Sequence, residues 1–345
     1  MRSRNWWMKS LSKATRYCKT RLAGTPQIVQ GCVLGCLLTA LLCYSFTFLF
    51  MSSASVQDHF VMPSHKSHGS ETTSLQSCNW TVVTALYDIR REGFDGRSFE
   101  QYQRWFMDTL SSVDDPMVVF VRGSEVELVR KARGMNPLRI IVEEEYPLQW
   151  AEPTVEKILK DPLWIEKLKY PQDIGNRLTA YTTLQHSKFP WLVRAIEENP
   201  FGTTHFTWID GGLSRLFLAA ETQAVPERKC HEELQIIKGN LGDLWDSEER
   251  KKWTVEKAIG SSNNFFRGGF FGGSKSAVLS VSQKMLFCFF FDMLAKGRVD
   301  NEQITFWLVF LKAPELFRVF EPKQQDDPFA WTKTVLKWSG SAHYE

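Results

Sequence analysis

Residues 205–215 read HFTWIDGGLSR. The first five, His205 to Ile209, form a short apolar and β-branched run of the kind that makes a buried strand. A carboxylate, Asp210, leaves the strand end, and two glycines follow at once. In an open α/β sheet, ligands bind beyond the carboxyl ends of the strands. Asp210 therefore belongs either to a ligand site or to an ordinary Asp-Gly turn, and the strand-end position favours the ligand site. A carboxylate there suits a hard, oxygen-seeking divalent cation, Mg²⁺ or Mn²⁺, carried on a diphosphate. Arg215 follows one short turn later, placed to neutralise phosphate charge.

The flanking sequence extends the same pattern. Thr81 to Ile89, Met117 to Val121 and Leu138 to Val142 read as three further strands. Ser98 and Gln101 have capping-box spacing for a helix whose apolar face is Phe99, Tyr102, Phe106 and Leu110. Ser124 and Glu127 repeat that spacing, and Gly134 ends the second helix. Residues 150–200 look helical but are interrupted by Pro153, Pro162, Pro171 and Pro190, so a separate helical piece is expected from Pro190 to Asn199. Phe265 to Phe271 is a candidate strand running into Gly272 and Gly273. A long helix follows from Ser274 to Lys296, and Asp300 with Gln303 has capping-box spacing for a helix through Ile304 to Leu311. Strands alternating with capped helices predict an α/β domain over residues 79–345 with a parallel sheet joined by crossovers.

Three more places suit chemistry. In YDIRR, residues 87–91, Asp88 is placed for a ribose or base and Arg90 and Arg91 for phosphates; a salt-linked surface turn explains them equally well. In RGGFFGG, residues 267–273, Gly268, Gly269, Gly272 and Gly273 let the backbone approach a ligand, or else mark a bulged strand. Glu302 is either the base that activates an acceptor hydroxyl or a first-turn acid complementing a helix dipole. No glycine-rich dinucleotide loop follows the first strand, which argues against a dinucleotide cofactor and against a methyltransferase. No zinc pattern, nucleophile elbow or Walker loop is present, and His205, His231 and His343 lack partners at triad or metal spacing.

Charge divides sharply along the chain. The whole carries +3, but residues 1–27 hold seven Lys and Arg and no acid. Residues 28–51, IVQGCVLGCLLTALLCYSFTFLFM, carry no Asp, Glu, Lys, Arg or His, which leaves 35 Lys+Arg against 39 Asp+Glu beyond the span. About 20 apolar residues cross the hydrocarbon core as a helix, and flanking basic residues stay cytoplasmic. The expectation is a signal anchor at 28–51 behind a cytosolic tail. It gives a single-pass type II protein of the Golgi or another secretory-pathway membrane, with residues 79–345 lumenal. A cleaved signal peptide is the alternative, with SSAS at 52–55 supplying small residues, but its apolar region is usually shorter. A mitochondrial presequence fits the Arg-rich tail but not the long span. Residues 52–78, polar and rich in Ser and His, read as a flexible stem. A mildly acidic domain without basic-aromatic patches excludes nucleic acid as its partner. Of the three cysteines beyond the span, Cys288 in LFCFFF reads as a buried small hydrophobe, which leaves Cys78 and Cys230 as the pair to consider. Asn79-Trp80-Thr81 is a glycosylation sequon close to the first strand.

Several runs together resemble the HtrL/YibB family. They are VVTALYDIRR at 82–91, QYQRWF at 101–106, MVVFV at 117–121, QHSKFPWLVRAIEENPF at 185–201, FTWIDGGLSR at 206–215, RGGFFGG at 267–273 and NEQ at 301–303. The resemblance implies a GT-A-like, Rossmann-type mixed sheet flanked by helices. It also implies a glycosyltransferase that moves a sugar from a nucleotide-sugar donor to a hydroxyl of a glycan or glycoconjugate acceptor. By the same resemblance Asp210 matches the acidic strand end, the glycine run faces the sugar, Glu302 matches the acid near the acceptor, and Lys188 is a phosphate or substrate contact. The chain lacks the D-x-D of that fold, since Asp210 is followed by glycines, so a two-carboxylate metal site is not visible. A lumenal binding protein that kept the fold without catalysis is the other class the sequence allows.

Overall fold

A computed structural model describes residues 78–216, 230–239, 248, 252–261 and 265–320. The basic tail, the apolar span and all of the stem but Cys78 lie outside the described residues.

Among the described residues the strands are β1 (Trp80–Leu86), β2 (Met117–Val121), β3 (Leu138–Val142), β4 (His205–Ile209), β5 (Leu234–Lys238), β6 (Phe266–Ser274) and β7 (Phe317–Phe320). They form one sheet in the order β3-β2-β1-β4-β6-β5-β7. β1 pairs in parallel with β2 and β4, β2 with β3, and β5 with β7, while β6 runs antiparallel between β4 and β5. The fold is therefore α/β with a mixed seven-stranded sheet. The principal helices are α1 (Phe99–Ser111), α2 (Val126–Arg133), α3 (Glu152–Leu159), α4 (Thr179–Glu198), α5 (Lys275–Phe287) and α6 (Glu302–Lys312).

Successive strand residues point to opposite faces, and both faces are covered. Val82, Val119, Ile209 and Phe270 pack with Phe106 and Leu110 of α1 and Val129 of α2. Val83, Val118, Phe206 and Phe271 pack on the other side with Phe189 and Leu192 of α4, Val281 and Met285 of α5, and Phe306 of α6. Burial on both faces explains why these strands read as continuous apolar runs rather than alternating ones. Arg133 ties the first layer together. Its buried guanidinium donates to the carbonyls of Leu110 and Asp115 at 2.9 Å each, of Pro137 at 3.1 Å and of Val113. Burial lowers its pKa to about 10.

β2, β3 and β4 have the bounds the sequence predicts, and the Ser98–Gln101 capping box is present. Other local readings are overturned by tertiary contacts. β1 ends at Leu86, because Tyr87 turns to stack on Trp191 and donates its hydroxyl to the Glu143 carbonyl. Ser124 and Glu127 do not cap α2: a 3₁₀ turn intervenes, Ser124 donates to Glu125, and Glu127 pairs with Arg130. α4 runs straight through Pro190. An interior proline costs about 3 kcal/mol, but Phe189, Trp191, Leu192, Ala195 and Ile196 are all buried around it, and that burial outweighs the lost bond. Asn301, not Asp300, caps α6, accepting from Gln303 N and Ile304 N, while Asp300 accepts from Gly260 N at 2.7 Å. β6 does not end at Phe271 but continues through both glycine pairs to Ser274.

Lys275–Lys296 is one helical run whose central part, Cys288–Met293, is π-helical. By length and composition it is apolar enough to cross a membrane. Val278, Val281, Met285, Phe289 and Met293 are buried in the core, which makes it a core helix. Cys288 is among these buried groups, its thiol pushed up to about 12 by burial. A disulfide joins Cys78 to Cys230.

Candidate functional site

β1 and β4 lie side by side, but the chain leaves them in opposite directions across the sheet, β1 toward β2 and β3, β4 toward β6 and β5. That is a topological switch point, where the loops after two parallel strands part and leave a crevice. A cavity of about 550 Å³ occupies it. The loop after β1 contributes Tyr87, Asp88, Arg90 and Arg91; α1 contributes Tyr102; α4 contributes Tyr181, Gln185 and Lys188. β4 and its exit contribute Trp208, Asp210, Gly212 and Arg215. The volume lies within the range of small-molecule sites.

At the base of this cavity stands a buried ion cluster. The Lys188 ammonium donates to Glu302 Oε1 at 2.8 Å and to the Gly268 carbonyl at 3.0 Å, and it lies 3.0 Å from Asp210 Oδ1. Its side chain is 3% exposed, as is that of Glu302, whereas Asp210 is 31% exposed. Burial opposes the lysine charge, but Asp210 and Glu302 outweigh it and hold the ammonium above its ordinary pKa. Asp210 Oδ1 also accepts from Trp208 Nε1 at 2.8 Å. One oxygen of Asp210 is thus fixed by two donors, and the carboxylate is presented to the cavity. Lys188 is buried rather than at the surface, and in this structure three acceptors surround its three N–H groups.

The glycine run explains itself against this cluster. A Cβ on Gly268 would lie 2.2 Å from Glu302 Oε1, and one on Gly269 3.3 Å from Asp210 Oδ2. These two glycines make room for the carboxylates. Gly272 and Gly273 face the sheet instead: a Cβ would meet Thr207 Oγ1 at 2.0 Å and the Glu233 carbonyl at 2.5 Å. The four glycines belong to a strand, and none of them lines the cavity. Glu302 does not line it either.

The remaining predicted residues are at the rim. Asp88 Oδ1 accepts from the Arg90 N–H at 2.7 Å and holds the turn after β1, in which Arg90 adopts φ 55°. Arg90 is exposed. Arg215 donates to the Gly212 carbonyl at 3.0 Å and lies over the Trp105 ring. The sequence reading missed Tyr102, Tyr181 and Gln185 as site residues, and took Trp208 only as the strand residue beside Asp210. Tyr181, Gln185 and Lys188 recur at helical spacing on α4, a periodicity that was legible. Arg91 lies between the rings of Tyr102 and Tyr181 and pairs with Asp95 at 2.6 Å. Burial pushes the Tyr181 phenol up to about 12. Tyr102 Oη and Gln185 Oε1 are buried with no hydrogen-bond partner among the described residues. Tyr87, Trp191 and Trp208 stack in sequence along the same wall, at 5.3 and 5.7 Å between ring centroids.

These residues do not fit the divalent cation expected at Asp210. Glu302, the second carboxylate near it, is turned away behind a lysine. An ammonium already sits against Asp210 Oδ1, where it would repel a second cation. No group of three His, Cys, Asp or Glu side chains among the described residues could hold a metal ion.

Fold and site together define an α/β protein with an amphipathic cleft at a switch point, its one central acid pinned by a buried lysine. The chain belongs to the HtrL_YibB family, described as a bacterial protein of unknown function, whose model matches residues 78–330. No curated protein matches the chain. Among solved structures it is similar to mouse xyloside xylosyltransferase 1, apo form, with 11% identity and a TM-score of 0.33 over 70% of this chain and 85% of that one.

Proposed function

We propose that the chain is a nucleotide-sugar-dependent glycosyltransferase, acting on a hydroxyl of a glycan or glycoconjugate and held by residues 28–51 as a type II protein of a Golgi or other secretory-pathway membrane. The observation that carries the reading is the switch-point cavity, which combines aromatic walls, guanidinium groups and, at its base, the half-buried Asp210 carboxylate. Tyr102, Tyr181 and Trp208 offer faces for a base or sugar ring. Arg90, Arg91 and Arg215 are the groups for a diphosphate, and their charge stabilises it as it leaves with the pair of electrons from the broken glycosidic bond. The buried, unpartnered Tyr102 Oη and Gln185 Oε1 are suited to ligand hydroxyls or amides. Asp210, not Glu302, is the acid within reach of an acceptor, because a general base must meet the proton it removes. Glu302 acts through Lys188 as a positioning residue.

Calorimetry of the purified protein with UDP- and GDP-sugars tests this. Binding is expected for at least one donor, and its weakening in Arg215→Ala with the fold intact supports the assignment. Absence of binding by every donor overturns it. The burial of Glu302 favours a second reading, a binding protein without turnover. Donor binding with no transfer to any of a broad panel of acceptors establishes that reading instead.

A further inference from the structure

The ion cluster beneath the cavity is more than a packing detail. A cation that bridges two carboxylates is what a divalent-metal site ordinarily requires, and here that position is already filled. Lys188 reaches it from the middle of α4, Asp210 from the end of β4 and Glu302 from the first turn of α6. The three are brought together from across the fold, and two further features serve the arrangement. Gly268 supplies both a carbonyl to the ammonium and the absence of a side chain beside Glu302. Trp208 supplies an indole N–H to the same Asp210 oxygen that faces the lysine, which leaves that oxygen without capacity for a metal ion.

We infer that this site takes its ligand without a divalent metal, the Lys188 ammonium being the built-in cation between Asp210 and Glu302. The inference about the ligand rests on the donor reading above, but the exclusion of metal by Lys188 rests on the cluster alone. Asp210 keeps one oxygen for a ligand hydroxyl, and the diphosphate charge falls to the arginines at the rim. Glu302, buried and cavity-blind, fixes the lysine, so its removal shifts the position of Asp210 without removing any ligand contact.

Two measurements on the full chain in detergent decide the matter. The first titrates the protein with MnCl₂ and with MgCl₂ and reads thermal unfolding and Mn²⁺ electron paramagnetic resonance. The wild type is expected to show no stoichiometric Mn²⁺ site and no shift in Tm. Lys188→Ala opens a gap between two carboxylates and is expected to lose stability and to regain part of it with Mn²⁺. A stoichiometric Mn²⁺ site in the wild type that Asp210→Asn abolishes overturns the inference, even if Lys188→Ala fails to fold. The second measures UDP and UDP-sugar binding in EDTA and in Mn²⁺. Equal affinity supports the inference, and a gain of about tenfold or more on adding Mn²⁺ overturns it while leaving the donor reading intact. No nucleotide binding in either condition overturns the donor reading and the ligand half of the inference with it, and the metal titration still decides the other half.

Discussion

Replacing Lys188 by methionine tests the energetics of the cluster directly. Methionine fills much the same volume but removes the ammonium from Glu302 Oε1, Asp210 Oδ1 and the Gly268 carbonyl, which lie 2.8–3.0 Å from it. Glu302 is the group that suffers, since it is 3% exposed and water cannot replace its partner. Removing one member of a buried pair costs about 3–5 kcal/mol. In a domain of this size that corresponds to a fall in Tm of about 6–20 °C. A buried carboxylate without a cation is relieved by taking up a proton, so the deficit is expected to narrow as the pH is lowered from 8 to 5. Adding Glu302→Gln to Lys188→Met removes the stranded charge and should recover a large part of the loss. Differential scanning calorimetry of the two single variants and the double variant, at pH 8 and pH 5, gives the coupling. Additive effects, or a Lys188→Met deficit below about 1 kcal/mol at pH 8, would refute the claim that lysine and glutamate form one buried unit. In the wild type the raised lysine pKa has a definite sign: its stabilisation is complete below the ordinary lysine pKa and is lost only as pH rises past it.

Four other variants probe separate features. Gly272→Ala drives a Cβ to 2.5 Å from the Phe206 carbonyl, a backbone atom that cannot swing away, and should destabilise more than Gly269→Ala, whose nearest neighbour is 3.3 Å off; thermal unfolding ranks them. Arg133→Lys substitutes three donors on one nitrogen for a fork that reaches four carbonyls, and should cost about 2 kcal/mol or more in urea unfolding, because the stranded carbonyls are buried. His186 is buried against Phe289 and bonded to the Thr182 carbonyl and Thr305 Oγ1, and burial lowers its pKa to about 3. The unfolded chain then binds a proton that the folded chain refuses, so stability should fall as pH drops below about 6.5, by up to about 1.4 kcal/mol per unit. His186→Gln should flatten that part of the wild-type profile in denaturant titrations across pH 4–7.

What the sequence discloses of this fold depends on how local its cause is. β2 and β4 are buried on both faces, so apolar runs delimit them without reference to anything else; β3 is a half-exposed edge strand, and its apolar run pairs with β2 on one side only. β5 and β7 are LQIIK and FRVF, too mixed to announce themselves, and they become strands by pairing, β5 with both β6 and β7 and β7 with β5. Pro190 misleads because its cost is local while its compensation, burial against β4 and α5, is not. The two capping boxes that failed had correct spacing, but Ser124 and Asp300 found better partners in Glu125 and the Gly260 amide. Asp210 follows the end of β4, as the apolar run before it predicts, and lines the cavity there. Lys188 was singled out only by resemblance, and its pairing with Glu302, 114 residues away, has no local signature. Glu302 looked available because nothing near it in sequence used it.

The Cys78–Cys230 disulfide has a mechanical meaning. Cys78 stands two residues before β1, and Cys230 four residues before β5. A load applied through residues N-terminal to Cys78 is therefore divided between two strands at separate places in the sheet. β1 lies between two parallel neighbours and would resist such a load in shear, with its hydrogen bonds strained together rather than unzipped in turn. Reducing the bond would leave β1, the strand whose exit loop carries Asp88, Arg90 and Arg91, to bear any such load on its own.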